Sequence, residues 1–164
     1  MFLLKRAFRQ AGLSYTLIDV PDGEKAVQYL KGHPPFDDRI KFPFPQLLLL
    51  DLKMPKMNGF DVLAWVAGRP DMHSLPVVVL TSSPLEADVR MAFKLGASCF
   101  LTKPNDLDEM VGIVKYVSQS LLADPAGYRP GERSASISWE AVRLANVSKS
   151  PMVPVNIPRP QAAP

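Results

Sequence analysis

The apolar positions follow two alternating rhythms, one of period 3.6 and one of short unbroken runs. Phe2, Leu3, Leu4, Ala7, Phe8 and Ala11 recur at helical spacing, and Gly12 supplies a stop. Tyr15-Thr-Leu-Ile-Asp-Val20 is short and β-rich, which predicts a strand, and Pro21-Asp22-Gly23 punctuates it. Glu24 to Lys31 reads as a helix with Ala26, Val27 and Leu30 inward, closed by Gly32. Residues 33–45 carry Pro34, Pro35, Pro43 and Pro45 and form a loop. Gln46–Asp51 is an apolar run that ends in a carboxylate. Gly59–Gly68 is helical, with Phe60, Leu63, Ala64 and Ala67 on one stripe. Pro76–Thr81 is a second apolar run, residues 84–95 are helical up to Gly96, Ser98–Thr102 is a third short strand, and 106–122 is an amphipathic helix.

Strands alternating with helices predict βα units and a parallel sheet. Strands that are apolar throughout have both faces covered. In such sheets functional groups collect at the carboxyl ends of the strands. The polar residues there are Asp51, Thr81 and, just after the third strand, Lys103: a carboxylate, a hydroxyl and an ammonium converging on one edge. A carboxylate is a competent nucleophile toward phosphorus. An ammonium would offset the added negative charge, and a hydroxyl could bond a phosphoryl oxygen.

Composition narrows the classes. The chain of 164 residues carries a formal charge of +3. Residues 1–124 hold 14 basic and 14 acidic side chains, so the excess lies wholly in the last 40 residues. A neutral body does not make a nucleic-acid-binding face, and no DNA partner is expected. One cysteine, Cys99, excludes an intramolecular disulfide framework and a cysteine-based zinc cluster. His33 and His73 lack ligand spacing. No apolar run approaches a membrane span, and charge follows Met1 too soon for a signal peptide, so no membrane partner and a cytoplasmic location are expected. Residues 123–164, rich in proline and serine, are expected to be a flexible, disordered basic tail without an output domain, with at most a short helix capped by Ser138.

Four ordered segments resemble the receiver domain of bacterial two-component response regulators, the CheY-like family. They are Leu47-Leu-Leu-Leu-Asp51-Leu-Lys-Met-Pro55-Lys-Met-Asn-Gly59, Pro76–Ser82, Leu95-Gly-Ala97 and Phe100-Leu-Thr-Lys103-Pro104. The spacings from Asp51 to Thr81 and Lys103 match the family's. The resemblance covers residues 1–122. It implies an α/β, flavodoxin-like, doubly wound parallel sheet, with Asp51 as phosphoacceptor, Thr81 as switch hydroxyl, Lys103 as the phosphate-contacting lysine and Phe100 at the aromatic switch position, where plain core is the competing reading. It also implies a cis Lys103–Pro104 bond. The resemblance further implies a sensor histidine kinase as phosphoryl donor and Mg²⁺ as cofactor. The long loop 33–45 is more like that of stand-alone receivers that partner bacteriophytochrome-type kinases.

One departure matters. The family's first strand ends in an acidic pair that binds Mg²⁺. Here Met1–Leu4 already reads as the first helix, so the expectation is an N-terminally truncated receiver lacking that strand. Asp19 and Asp22 belong to the next strand and its turn. Mg²⁺ would keep only Asp51 and the backbone carbonyl of Lys53. Two readings remain: a phosphorylated stand-alone receiver, or a degenerate adaptor that binds partners without phosphorylation. Neither is an enzyme, because Leu52 and Lys53 follow Asp51 where a second acid would be needed.

Overall fold

The computed structural model describes residues 2–82 and 85–122. The tail assigned to 123–164, with its Ser138-capped helix, lies outside the described residues. In chain order the elements are α1 (Phe2–Gln10), α2 (Gly23–Lys31), β1 (Leu48–Leu50), α3 (Gly59–Ala67), β2 (Val77–Thr81), α4 (Glu86–Lys94), β3 (Cys99–Thr102) and α5 (Leu107–Val117). A short 3₁₀ turn, Pro70–Met72, leads into β2, and a π-type turn, Ser118–Leu122, extends α5.

The sheet is parallel with order β1-β2-β3. Leu48 lies opposite Val77 and Leu50 opposite Val79, while Val78 pairs with Cys99 and Thr81 with Thr102. The unbroken apolar runs are explained by the two layers they serve. Val77 and Val79 point into a core with Leu50, Val27 and Leu30 of α2, and Val62, Leu63 and Val66 of α3. Val78 and Leu80 point the other way, against Leu4, Ala7 and Phe8 of α1 and Met110, Ile113, Val114 and Val117 of α5. All five residues of β2 are buried. The sheet is therefore doubly wound, with α2, α3 and α4 on one face and α1 and α5 on the other.

The glycine stops were read correctly where the backbone demands them. Gly12, Gly32 and Gly96 sit at φ of +70°, +68° and +90°, where a Cβ is disfavoured. Ala26, Val27 and Leu30 face inward as expected. On α3 the buried stripe is Val62, Leu63 and Val66; Ala64 and Ala67 are exposed. Helical periodicity admits both stripes, and the larger valines remove more apolar surface from water.

Two further expectations fail. Tyr15–Val20 forms no strand. A strand exists through its pairing partner, and no strand among the described residues lies beside this segment. Side chains hold it instead. The Tyr15 hydroxyl lies 3.0 Å from Ser118 Oγ. The Tyr15 ring packs edge-on to Phe8 with centroids 6.0 Å apart, and Leu13 and Leu17 join the α1–α5 core. The Lys103–Pro104 bond is trans, the form favoured by about 0.5–1 kcal/mol in X-Pro bonds; the cis bond among the described residues is Pro34–Pro35.

The loop between α2 and β1 is built rather than slack. Arg39 donates to the Tyr29 and Leu30 carbonyls at 3.0 and 2.8 Å, adding to the cap at the C-terminal end of α2. The Tyr29 hydroxyl donates to the Pro43 carbonyl at 2.6 Å, and Tyr29, Phe36 and Phe42 form a mutual edge-to-face cluster.

Candidate functional site

Two of the three polar residues at the strand ends meet through their side chains, and the third adjoins them through backbone. Asp51 follows β1, Thr81 closes β2, and Lys103 follows β3. The Lys103 ammonium donates to Asp51 Oδ2. The Lys103 amide donates to the Thr81 carbonyl at 2.8 Å, so the backbone of the third strand carries the lysine to the edge. The other Asp51 oxygen, Oδ1, accepts from the Lys53 amide at 3.2 Å. The Asp51 and Lys103 side chains are 27% and 39% exposed, open enough for a reagent to reach the carboxylate. Thr81 is fully buried, and its Oγ1 has no hydrogen-bond partner among the described residues. A buried hydroxyl without a partner is costly, so it calls for an explanation.

This carboxyl-edge trio on a parallel sheet has counterparts in known proteins. Residues 1–115 match the family model described as response regulator receiver domain. The chain belongs to that family. Response regulator Rcp1 of Synechocystis sp. is 34% identical over 113 residues, covering 69% of this chain and 75% of Rcp1. The phosphorylated cyanobacterial phytochrome response regulator RcpA superposes with a TM-score of 0.67 at 31% identity, over 74% of this chain and 85% of RcpA. The Mn²⁺-bound form of Rcp1 gives a TM-score of 0.64 at 33% identity, over 73% of this chain and 84% of that one.

As a receiver domain, the chain is two-component signalling machinery with a CheY-like fold. Phe100 is 8% exposed and packs in the α2–α3–α4 core, its side chain turned away from solvent. The oxygen donors expected for a metal here are the Asp51 carboxylate and the Lys53 carbonyl. Asp51 is already ion-paired with Lys103, and no group of three or more His, Cys, Asp or Glu residues gathers as a metal site among the described residues. Mg²⁺ demands near-octahedral oxygen coordination, so this donor set does not fit the ion.

The loop after Asp51 is fastened at both ends. Gly59, which begins α3, packs so closely that a Cβ would overlap the Asp51 carbonyl oxygen. Its amide donates to the Leu52 carbonyl at 3.1 Å. Asn58 and Asp61 form a reciprocal capping box. At the loop's outer bend, Lys56 adopts φ +63° and its ammonium reaches Asp22 Oδ2 at 2.6 Å. Asp22 also caps α2, accepting from the Lys25 amide at 2.9 Å through Oδ1. The Lys56 ammonium and the Lys25 amide hold the Asp22 carboxyl below its usual value. Sequence reasoning left Asp22 in a turn. The Asp-Gly before a helix signals the cap, but nothing local signals a lysine 34 residues onward.

Proposed function

We propose that this receiver accepts a phosphoryl group on Asp51 from a sensor histidine kinase. The observation that carries the reading is the Lys103 ammonium seated on the Asp51 carboxylate, on the strand edge that also holds the buried Thr81 hydroxyl, unpartnered among the described residues. A carboxylate oxygen of Asp51 attacks phosphorus on the kinase's phosphohistidine. The O–P bond forms, the P–N bond breaks with its electron pair staying on the imidazole, and that nitrogen takes a proton from solvent. Lys103 is the fixed counter-charge for the resulting acyl phosphate. Thr81 gains the acceptor its hydroxyl lacks, and with Phe100 it shifts the surface of α4, β3 and α5 that a downstream protein reads. The chain is thus a phosphoryl acceptor and not an enzyme, working in the cytoplasm beside its kinase. No described helix is long and apolar enough to cross a membrane. The phytochrome response regulators among its structural relatives support a bacteriophytochrome-type kinase as donor.

The sparse oxygen set around Asp51 favours a second reading, a phosphorylation-independent adaptor. One experiment separates the two. The full chain is incubated with acetyl phosphate, and separately with an autophosphorylated bacteriophytochrome-type kinase, with and without Mg²⁺, and its intact mass is read. A gain of one phosphoryl group that disappears in Asp51→Asn supports the acceptor. No gain, with kinase binding unchanged by Asp51→Asn, supports the adaptor.

A further inference from the structure

We propose that the Asp22–Lys56 ion pair is a latch that holds the Asp51–Gly59 loop closed, making both side chains positioning residues for Asp51. The positioning half rests on the phosphoacceptor reading above; the loop-closing half does not.

The Asp22 side chain is only 4% exposed, whereas that of Lys56 is 55% exposed. A buried carboxylate needs compensation on both oxygens. Capping α2 uses Oδ1 alone, and an asparagine would cap as well as an aspartate. Oδ2 serves Lys56, a residue of a different loop.

Lys56 makes the second half of the case. Its φ of +63° lies in the left-handed region, where glycine is the ordinary occupant. A position that only had to turn would be served by glycine without strain. Lysine keeps a side chain there at a backbone cost, and that side chain is spent on Asp22. Strained backbone of this kind points toward function when it borders a site. Beside the pair, Gly23 of α2 abuts the Met57 carbonyl so closely that a Cβ would overlap it. An ion pair and a backbone contact thus clamp the loop's middle to α2, while Gly59 clamps its end to Asp51. The Lys53 amide, which holds Asp51 Oδ1, lies in the stretch between Asp51 and the Lys56 anchor.

The test uses the full chain and three variants: Asp22→Asn, which keeps the cap; Lys56→Met, which removes the charge; and Lys56→Arg, which restores it. Two quantities are measured: hydrogen exchange of the Met54–Gly59 amides, and the rate of phosphoryl incorporation from acetyl phosphate. Loss of the ion pair should change local opening by about fivefold. Asp22→Asn and Lys56→Met should each raise loop exchange by that factor, leave the Val77–Thr81 amides unchanged, and slow incorporation. Lys56→Arg should restore both quantities. Unchanged loop exchange overturns the latch. Exchange that rises equally in β2 overturns it too, as general loosening. Faster loop exchange with normal incorporation overturns the positioning role. If the unaltered chain takes up no phosphoryl group while loop exchange responds as stated, the acceptor reading fails and the latch is supported.

Discussion

Lys103 and Asp51, 52 residues apart in sequence, form a direct ion pair at the carboxyl edge of the sheet. The pair is partly open to solvent, so its worth to folding is small. Its worth to chemistry is larger, because the ammonium is already in place for the negative charge that an incoming phosphoryl group brings to the carboxylate. Lys103→Met should slow phosphoryl incorporation at Asp51 by roughly 10- to 100-fold, the equivalent of the 1.5–3 kcal/mol of a charged hydrogen bond. The thermal midpoint should barely move. Intact-mass time courses beside a melting curve check both statements.

Thr81 should behave in the opposite sense. Its hydroxyl is buried with no partner among the described residues. Thr81→Val removes that hydroxyl and should stabilise the unphosphorylated chain by about 1 kcal/mol, near the low end of the cost of an unsatisfied buried group. The same variant should abolish any phosphorylation-dependent change in exchange across α4 and β3. Urea midpoints and exchange with and without acetyl phosphate supply the comparison.

Acid should reach the chain through Asp22. Its carboxyl is held below the ordinary 3.8 by Lys56 and the Lys25 amide. Its contribution to stability is therefore complete above pH 3.8 and is lost as pH falls through the lower folded value. Lys56, raised above 10.5 by the same contact, contributes fully below that value and loses its contribution as pH climbs through the higher folded one. Asp22→Asn should flatten both limbs. Thermal midpoints recorded from acid to alkaline pH measure the slopes.

Cys99 should be silent to alkylation. Burial in the α1–α5 core pushes its thiol up to about 12. The native thiol stays protonated, and its labelling by iodoacetamide should not accelerate between neutral pH and about pH 9, unlike a free thiol of pKa about 8.5. The unfolded thiol ionises first, so this group lowers stability as pH rises between those two values. Labelling in urea, followed by mass, should report global unfolding alone.

What could be read from sequence divides along a physical line. The strand ends at Asp51 and Thr81, the glycine stops and the two-layer core rest on local periodicity and backbone preference, and those are written residue by residue. Tyr15–Val20 has the composition of a strand but lacks a neighbour to pair with, and pairing is not a property of six residues. The buried stripe of α3 turned on side-chain size, since alanine and valine share its period. The Asp22–Lys56 contact joins two turns that only the finished fold brings together, and the left-handed lysine carries no glycine to announce it.

The loop between α2 and β1 has a consequence for how the chain meets proteases. A protease must draw several residues into an extended strand before it cuts. Here Arg39, one of the loop's two trypsin sites, has its guanidinium bound to carbonyls at the end of α2, Phe36 is packed against Tyr29, and Phe42 and Phe44 are each followed by a proline that chymotrypsin does not cut before. The longest irregular stretch among the described residues is therefore a poor place for chymotrypsin to nick. Ile40, 98% exposed within it, is displayed on the surface between these fastened side chains.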